Sequence, residues 1–143
     1  MWGCLKTRPM GGLVEALEVL GEAGHTLYVA TSKPRVFAER IVRHFGLDPY
    51  FAGIYGSELN GRHTDKASLI AHILEKGSIP AFRAVMVGDR KHDMIGGKAN
   101  GVRGVGVMWG FGSREELETS GVEVCVATPR ELVSVLMCTR DAI

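Results

Sequence analysis

The spacing of apolar residues changes period several times along the chain, and each change predicts a new element. Leu13, Leu17 and Leu20 recur at helical spacing ahead of Gly21 and Gly24, which predicts an amphipathic helix over 12–23. "TLYVAT", 26–31, is a short β-branched and aromatic run that predicts a buried strand. Ser32 followed by Pro34 has the form of a helix cap with proline in the first turn. Phe37, Ile41 and Phe45 give that helix its apolar stripe, and Gly46 ends it. Residues 48–64 are less regular; "YFAGIYG" predicts a brief strand and "SELNGRHT" a loop. Leu69, Ile70, Ile73 and Leu74 mark a helix over about 66–76, closed by Gly77 and Pro80. "AVMV" predicts a strand, "RKHDMIGGKAN" a helix terminated by Asn100-Gly101, and "GVGVMW" another strand. "SREE" at 113–116 and "TPRE" at 128–131 both match the capping box, in which a hydroxyl and a Glu three residues on satisfy each other's exposed amides. The strand "VCVA" lies between those two helices.

Strands alternating with helices predict an α/β fold: a parallel sheet with helices on both faces, since every parallel connection needs a crossover. At 143 residues the chain amounts to a single domain over 1–143. Ligands of such sheets bind at the carboxyl ends of the strands. The residues of interest therefore follow the strands: Thr31-Ser32, Gly88-Asp89, and 109–112.

Composition narrows the class. Apolar residues at 45% and charged residues at 23% describe an ordinary globular protein. A net charge of +1 points to neither nucleic acid nor an anionic membrane as partner, and no apolar run is long enough to span a bilayer. Three cysteines, Cys4, Cys125 and Cys138, form no C-x-x-C pair and no even framework, which fits a reducing cytoplasm. His25, His44, His63, His72 and His92 have no metal-ligand spacing, although His92 lies beside the candidate site. "GVRGVG" leads into a strand and "GGK" lacks the rest of a Walker loop, so neither is a nucleotide motif. "REELE" reads as a solvated helix face.

Asp89 lies in a strand-to-helix turn and Asp93 four residues on, so both can face the mouth of the sheet. One reading is a magnesium site, because that hard cation takes one or two protein carboxylates together with water and substrate phosphate. The structural alternative has Asp89 capping the helix and Asp93 answering its dipole. Thr31 and Ser32 offer hydroxyls and amides at a helix start, a suitable cradle for a phosphoryl group. Lys66 opens a helix, where a cation opposes the dipole, so a negative group is expected opposite it.

The order "LYVATSKP", then Lys66 in "HTDKASLI", then "VMVGDRKHDMIGGKANGVRGVGVMWGFGS" resembles the haloacid dehalogenase superfamily and, within it, the phosphoglycolate phosphatase-like hydrolases. The resemblance runs from about Gly11 to Leu136. It implies a Rossmann-like core that hydrolyses phosphomonoesters of small metabolites with Mg²⁺ through a phosphoaspartyl intermediate. Thr31 and the Ser32 amide would hold the phosphoryl group, Lys66 would neutralise phosphate and nucleophile, Asp89 would bind the metal, and Asp93 would support the metal site.

Two departures stand out. The family's D-x-D, which carries the nucleophile at the end of a central strand, occurs nowhere among Asp48, Asp65, Asp89, Asp93 and Asp141, and the helical cap that follows it is absent too. Lys66 is followed by Ala67 and Ser68 rather than by prolines common in the phosphoglycolate phosphatase group. The core is therefore expected to be incomplete at its amino-terminal side and the chain alone not to turn over, because metal and lysine stabilise charge but do not supply the attacking oxygen. In the family the first strand runs between the strand carrying Thr31 and the strand carrying Asp89. Removing it would uncover several apolar side chains worth roughly 1.5–3 kcal/mol each and would leave two strand edges unpaired. Three fillings are expected: upstream residues, a second chain or oligomer partner, or closure of the two edges on each other. Two functional alternatives accompany the hydrolase reading. One is a catalytically dead module that keeps the phosphate and metal site. The other is a receiver-like signalling domain, disfavoured because here Thr31 and Lys66 precede Asp89.

Overall fold

The computed structural model describes residues 12–57, 65–108 and 112–138. Eleven elements follow one another: α1 (Leu13–Glu22), β1 (Tyr28–Pro34), α2 (Arg35–His44), β2 (Gly53–Ser57), α3 (Lys66–Lys76), β3 (Val85–Gly88), α4 (Lys91–Ala99), β4 (Arg103–Val107), α5 (Arg114–Thr119), β5 (Val124–Val126) and α6 (Pro129–Cys138). Short 3₁₀ turns at Asp48–Tyr50 and Ala81–Arg83 lead into β2 and β3. Several stops act as the sequence predicts. At the end of α2, Gly46 takes a φ of 68° and Leu47 N–H reaches back to Val42 O at 2.9 Å; at the end of α4, Gly101 takes a φ of 73° and Val102 N–H reaches Gly97 O at 2.8 Å.

The strands are parallel, but they form two sheets. β1 pairs with β2, and β3–β4–β5 form a separate three-stranded sheet. The expectation that the edges of β1 and β3 close on each other is therefore wrong. Closure would need the layers on both faces to shrink by a strand's width, and those layers are already packed. Leu13 and Leu17 of α1 pack with Val29 and Val42, while Leu20 of the same helix packs with Val87, Val105 and Leu132. On the other face Ala30 of β1 shares a cluster with Ile70 of α3, Met86 of β3 and Met94 of α4. α1 and α3 thus each bridge the two sheets, and Leu17 and Leu20, both without exposed surface, contribute about 1.5–3 kcal/mol each. Between the sheets lies a cleft of about 560 Å³, lined by Tyr28 and Ala30 of β1, Met86 and Val87 of β3, and Leu20 and Ile70 from above and below.

Three local expectations are corrected. β1 runs on to Pro34, so Ser32 is not a cap; Pro34 itself precedes α2, and no side chain caps that helix. The strand survives because its pairing with β2 loses register between Ala30 and Pro34 and resumes at Ser57. The apolar stripe of α2 is rotated by one residue: Ala38 and Val42 are buried, whereas Phe37 is 49% exposed beneath Arg40. Small Ala38 lets the helix sit close to its sheet, and bulky Phe37 would hold it away. The capping boxes also divide their labour. Ser113 Oγ accepts from Glu116 N–H at 3.0 Å and Thr128 Oγ1 from Glu131 N–H at 3.2 Å. Glu131 answers at the Ala127 amide, one residue early, and Glu116 turns elsewhere. The loop expected over "SELNGRHT" lies outside the described residues from 58 to 64.

Arg103, at the start of β4, grips Glu123, just ahead of β5, through Nε–Oε2 at 2.6 Å and Nη2–Oε1 at 2.5 Å. The Arg103 hydrogen bonds hold the Glu123 carboxyl below its ordinary value. A depressed carboxyl stabilises the fold above the unfolded pKa of about 4.3, and that contribution is lost as pH falls through the lower folded value. Glu123→Gln is expected to cost at most about 1 kcal/mol at pH 7 for this half-exposed pair. Urea unfolding at pH 7 and at pH 3 checks it: the wild-type advantage should shrink at the lower pH, and an undiminished difference there would refute the assignment.

Candidate functional site

The candidate residues meet at the carboxyl ends of β1 and β3, just past Ala30 and Val87, where the lining of the cleft ends on these strands. β3 ends in Gly88 and hands over to Asp89, which is 0% exposed; Asp93, one turn into α4, is 4% exposed. The structural alternative for the two aspartates therefore divides. Asp93 does serve the helix start, accepting from Arg90 N–H at 3.3 Å through Oδ2. Asp89 does not cap it, because Arg90 occupies the cap position.

The negative group that Lys66 calls for is Asp93. Lys66 Nζ lies 2.8 Å from Asp93 Oδ1, and both side chains are buried, at 8% and 5% exposure. The same ammonium donates to Ala30 O at 3.0 Å. One lysine at the head of α3 thus ties β1 to the turn after β3 across the cleft. Its unfavourable position on the helix dipole is offset by Asp65, the cap of α3, whose carboxylate accepts from Ser68 N–H at 2.9 Å.

The glycine pair in "MIGGKAN" makes this approach possible. A Cβ on Gly96 would stand 2.9 Å from Lys66 Cγ and 3.0 Å from Ala67 N, and one on Gly97 would stand 3.2 Å from Met86 Cβ. Without side chains at these positions α4 settles against both α3 and β3. Asn100 then pins the helices together, its Nδ2 donating to Ala67 O and to Gly96 O, each at 2.9 Å. Gly88 is equally constrained, since a Cβ there would fall 2.4 Å from Asp93 Cβ and on the carboxylate itself.

Thr31 is buried at 7% exposure, one residue beyond the Ala30 carbonyl that Lys66 holds, and its Oγ1 accepts from Lys33 N–H at 3.2 Å. Ser32 is exposed and lies in the irregular end of β1, three residues before α2 begins. The hydroxyls expected at a helix start therefore lie on a strand end. Whatever the Ser32 amide offers comes without the direct help of a helix dipole.

Two residues escaped the sequence reading. Glu116, expected on a solvated face, accepts from Arg90 Nε at 2.9 Å and from Lys91 N–H at 2.8 Å. The Arg90 hydrogen bond, followed by the Lys91 amide, holds the Glu116 carboxyl below its ordinary value, and Glu116 raises Arg90 in return. Arg90, flanked by two aspartates at 89 and 93, was the available signal that a third acid faces the turn. Its partner lies 26 residues away and is invisible to any local pattern.

As a donor set, the turn offers carboxylates and no histidine or thiolate. Among the described residues no group of three or more His, Cys, Asp or Glu side chains could cage an ion. That chemistry fits a hard divalent cation, which keeps several waters and takes its remaining oxygens from substrate, and it does not fit a zinc cage. Asp93 has one oxygen on Lys66 and the other on the Arg90 amide.

The parallel strands, covering helices and carboxyl-end cluster define a Rossmann-like α/β core. The chain belongs to the haloacid dehalogenase-like hydrolase family, whose sequence model matches residues 5–107. A 5'-nucleotidase of Pseudomonas aeruginosa is 51% identical over 115 residues, covering 80% of this chain and 52% of that protein. Tyrosine-protein kinase PtkA of Mycobacterium tuberculosis is 39% identical over 113 residues, 79% of this chain and 39% of the relative. A phosphoglycolate phosphatase of Vibrio parahaemolyticus is 28% identical over 122 residues, 85% and 54% respectively. Among solved structures, a predicted phosphatase from Clostridium acetobutylicum superposes with a TM-score of 0.86 at 39% identity, covering 89% of this chain and 59% of that one. The chain spans about half the length of the nucleotidase and phosphoglycolate phosphatase relatives and 39% of the kinase. Among the described residues no helix is long and apolar enough to cross a membrane.

Proposed function

We propose that this chain is the phosphate- and metal-holding part of a Mg²⁺-dependent phosphomonoester hydrolase, completed by a strand that seats between β1 and β3 and brings the nucleophile. One observation carries the reading: Lys66 stands beside the carboxyl ends of β1 and β3, bound at once to the Ala30 carbonyl on one side and to Asp93 on the other. A cation so placed neutralises a phosphoryl group or an attacking carboxylate that arrives from the missing position. Asp89 would hold Mg²⁺, which when bound supplies charge stabilisation to the transferring phosphoryl group. Asp93 would fix both Lys66 and the turn, and Thr31 with the Ser32 amide would bind phosphate oxygens. The substrate is a small phosphorylated metabolite. Nucleoside 5'-monophosphates are the first class to test, because the nucleotidase relative shares about half of the residues along 80% of the chain.

A second reading, a binding module without turnover, is favoured by the lack of any D-x-D in the sequence. Both readings require that the site holds ligand. Millimolar Mg²⁺ and inorganic phosphate together should raise the melting temperature, since a ligand at 100 times its Kd stabilises the folded state by about 2.7 kcal/mol. Asp89→Asn should abolish the magnesium part of the shift. The absence of any shift in the parent protein would leave the aspartates with a structural role only.

A further inference from the structure

We propose that Glu116 is a positioning residue for the metal-binding turn, acting from α5 as a clamp on the two residues that follow Asp89. The inference rests on the reading of Asp89 as the magnesium ligand and adds the group that keeps it in place. Three contacts converge on residues 89–91 from a segment more than twenty residues away. Glu116 Oε2 takes the Arg90 side chain at 2.9 Å and the Lys91 amide at 2.8 Å with the same oxygen. Gly112 lies so close that a Cβ there would fall 1.9 Å from Asp89 O, so the chain ahead of α5 rests directly on the Asp89 peptide. Ser113 fixes Glu116 in turn, accepting from its amide at 3.0 Å.

A ligand carried on a turn is useful only if the turn is held, within roughly 0.5 Å for a productive geometry. On the α4 side Asp93 holds the turn through the Arg90 amide. Glu116 supplies the opposing hold, one peptide further on. A carboxylate also suits the place better than a neutral acceptor, because one oxygen has to serve a guanidinium and an amide together. A surface ion pair such as Arg90–Glu116, by itself, would contribute little to folding; the Lys91 amide is what turns the pair into a fixture of the backbone.

Isothermal titration calorimetry with Mg²⁺ tests this on the full chain, at a temperature where circular dichroism shows each variant folded. Glu116→Ala should raise the Kd for Mg²⁺ by about 10-fold, at the lower end of what the loss of an outer partner of a metal ligand costs. Glu116→Gln, which keeps an acceptor without the charge, should fall between the parent and Glu116→Ala. In the double variant Arg90→Ala with Glu116→Ala binding should stay weak, because the Lys91 amide is still released. Recovery of affinity there would overturn the clamp, since Glu116 would then only have neutralised Arg90. Loss of melting temperature with an unchanged Kd would overturn it too, in favour of a purely structural contact. Asp89→Asn separates the two levels: if the parent binds Mg²⁺ and Asp89→Asn does not, the site stands whatever Glu116 does, and if the parent itself fails to bind, the site and the clamp fall together.

Discussion

Lys66→Met is expected to lower the unfolding free energy by about 3–5 kcal/mol, because it leaves the buried Asp93 carboxylate without its cation. The Lys66–Asp93 pair is 2.8 Å long with both side chains less than 10% exposed, so it lacks the water that makes surface pairs nearly neutral to stability. Against a typical domain stability of about 5–15 kcal/mol, such a loss moves a urea midpoint far. The Ala30 carbonyl loses its donor in the same substitution, and with it goes a side-chain hydrogen bond that ties β1 to the α3–α4 corner. Adding Asp93→Asn to Lys66→Met should recover part of the loss, since a neutral amide is cheaper to bury than a lone carboxylate. A cost below about 1 kcal/mol for the single variant would show that the pair behaves as a surface bridge, and Lys66 would lose its standing as the fixed charge of the site.

The second large effect concerns turnover. With Mg²⁺ present, the chain alone should hydrolyse neither an aryl phosphate nor a nucleoside 5'-monophosphate above the buffer rate. Joining it to an upstream apolar strand that ends in Asp-x-Asp should raise the rate by at least about 10³-fold, a small part of the 10⁶-fold or more that enzymes commonly reach. Among the described residues the facing edges of β1 and β3 have no strand partner, the cleft between them has an apolar floor and roof, and Lys66 sits beside their carboxyl ends, where the aspartates of such a strand would emerge. In the joined protein Asp89→Asn should then remove about 10²–10³-fold of the rate, the scale of losing a fixed electrostatic stabiliser. Turnover by the chain alone, abolished by Asp89→Asn, would refute the view that its nucleophile is missing. A joined protein that gains stability without activity would favour the binding module.

Much of the architecture was legible in the sequence because it is local. The helix α3 begins at Lys66 and α4 ends before Asn100-Gly101, as capping and glycine signals predict, since those signals act within one turn of the chain. The glycine-aspartate turn after β3 was also readable, because strand, glycine and acid stand in sequence and parallel sheets place such turns at the binding edge. The errors have a common cause. Ser32 resembles a cap in local sequence, but β2 pairs with β1 as far as Pro34 and delays α2. Phe37 resembles a core residue at helical spacing, but the packing partner of α2 selects the smaller Ala38. Glu116 resembles a capping-box acid, but Arg90 and the Lys91 amide hold its carboxylate more strongly than the cap would.

The sequence by itself determined the element order, the parallel α/β class, the choice of Asp89, Asp93 and Lys66 as the residues of interest, and the absence of a D-x-D pattern among its 143 residues. Periodicity, capping and motif spacing are properties of neighbouring residues and need no third dimension. Only the tertiary structure decided that Lys66 faces Asp93, that Asp89 is buried without being a cap, that Glu116 closes on the same turn, and that β1 and β3 stay apart. Each of these joins residues far apart in the chain, and each is set by how closely α4, α3 and α5 can approach, which the glycines at 88, 96 and 112 permit through the side chains they lack.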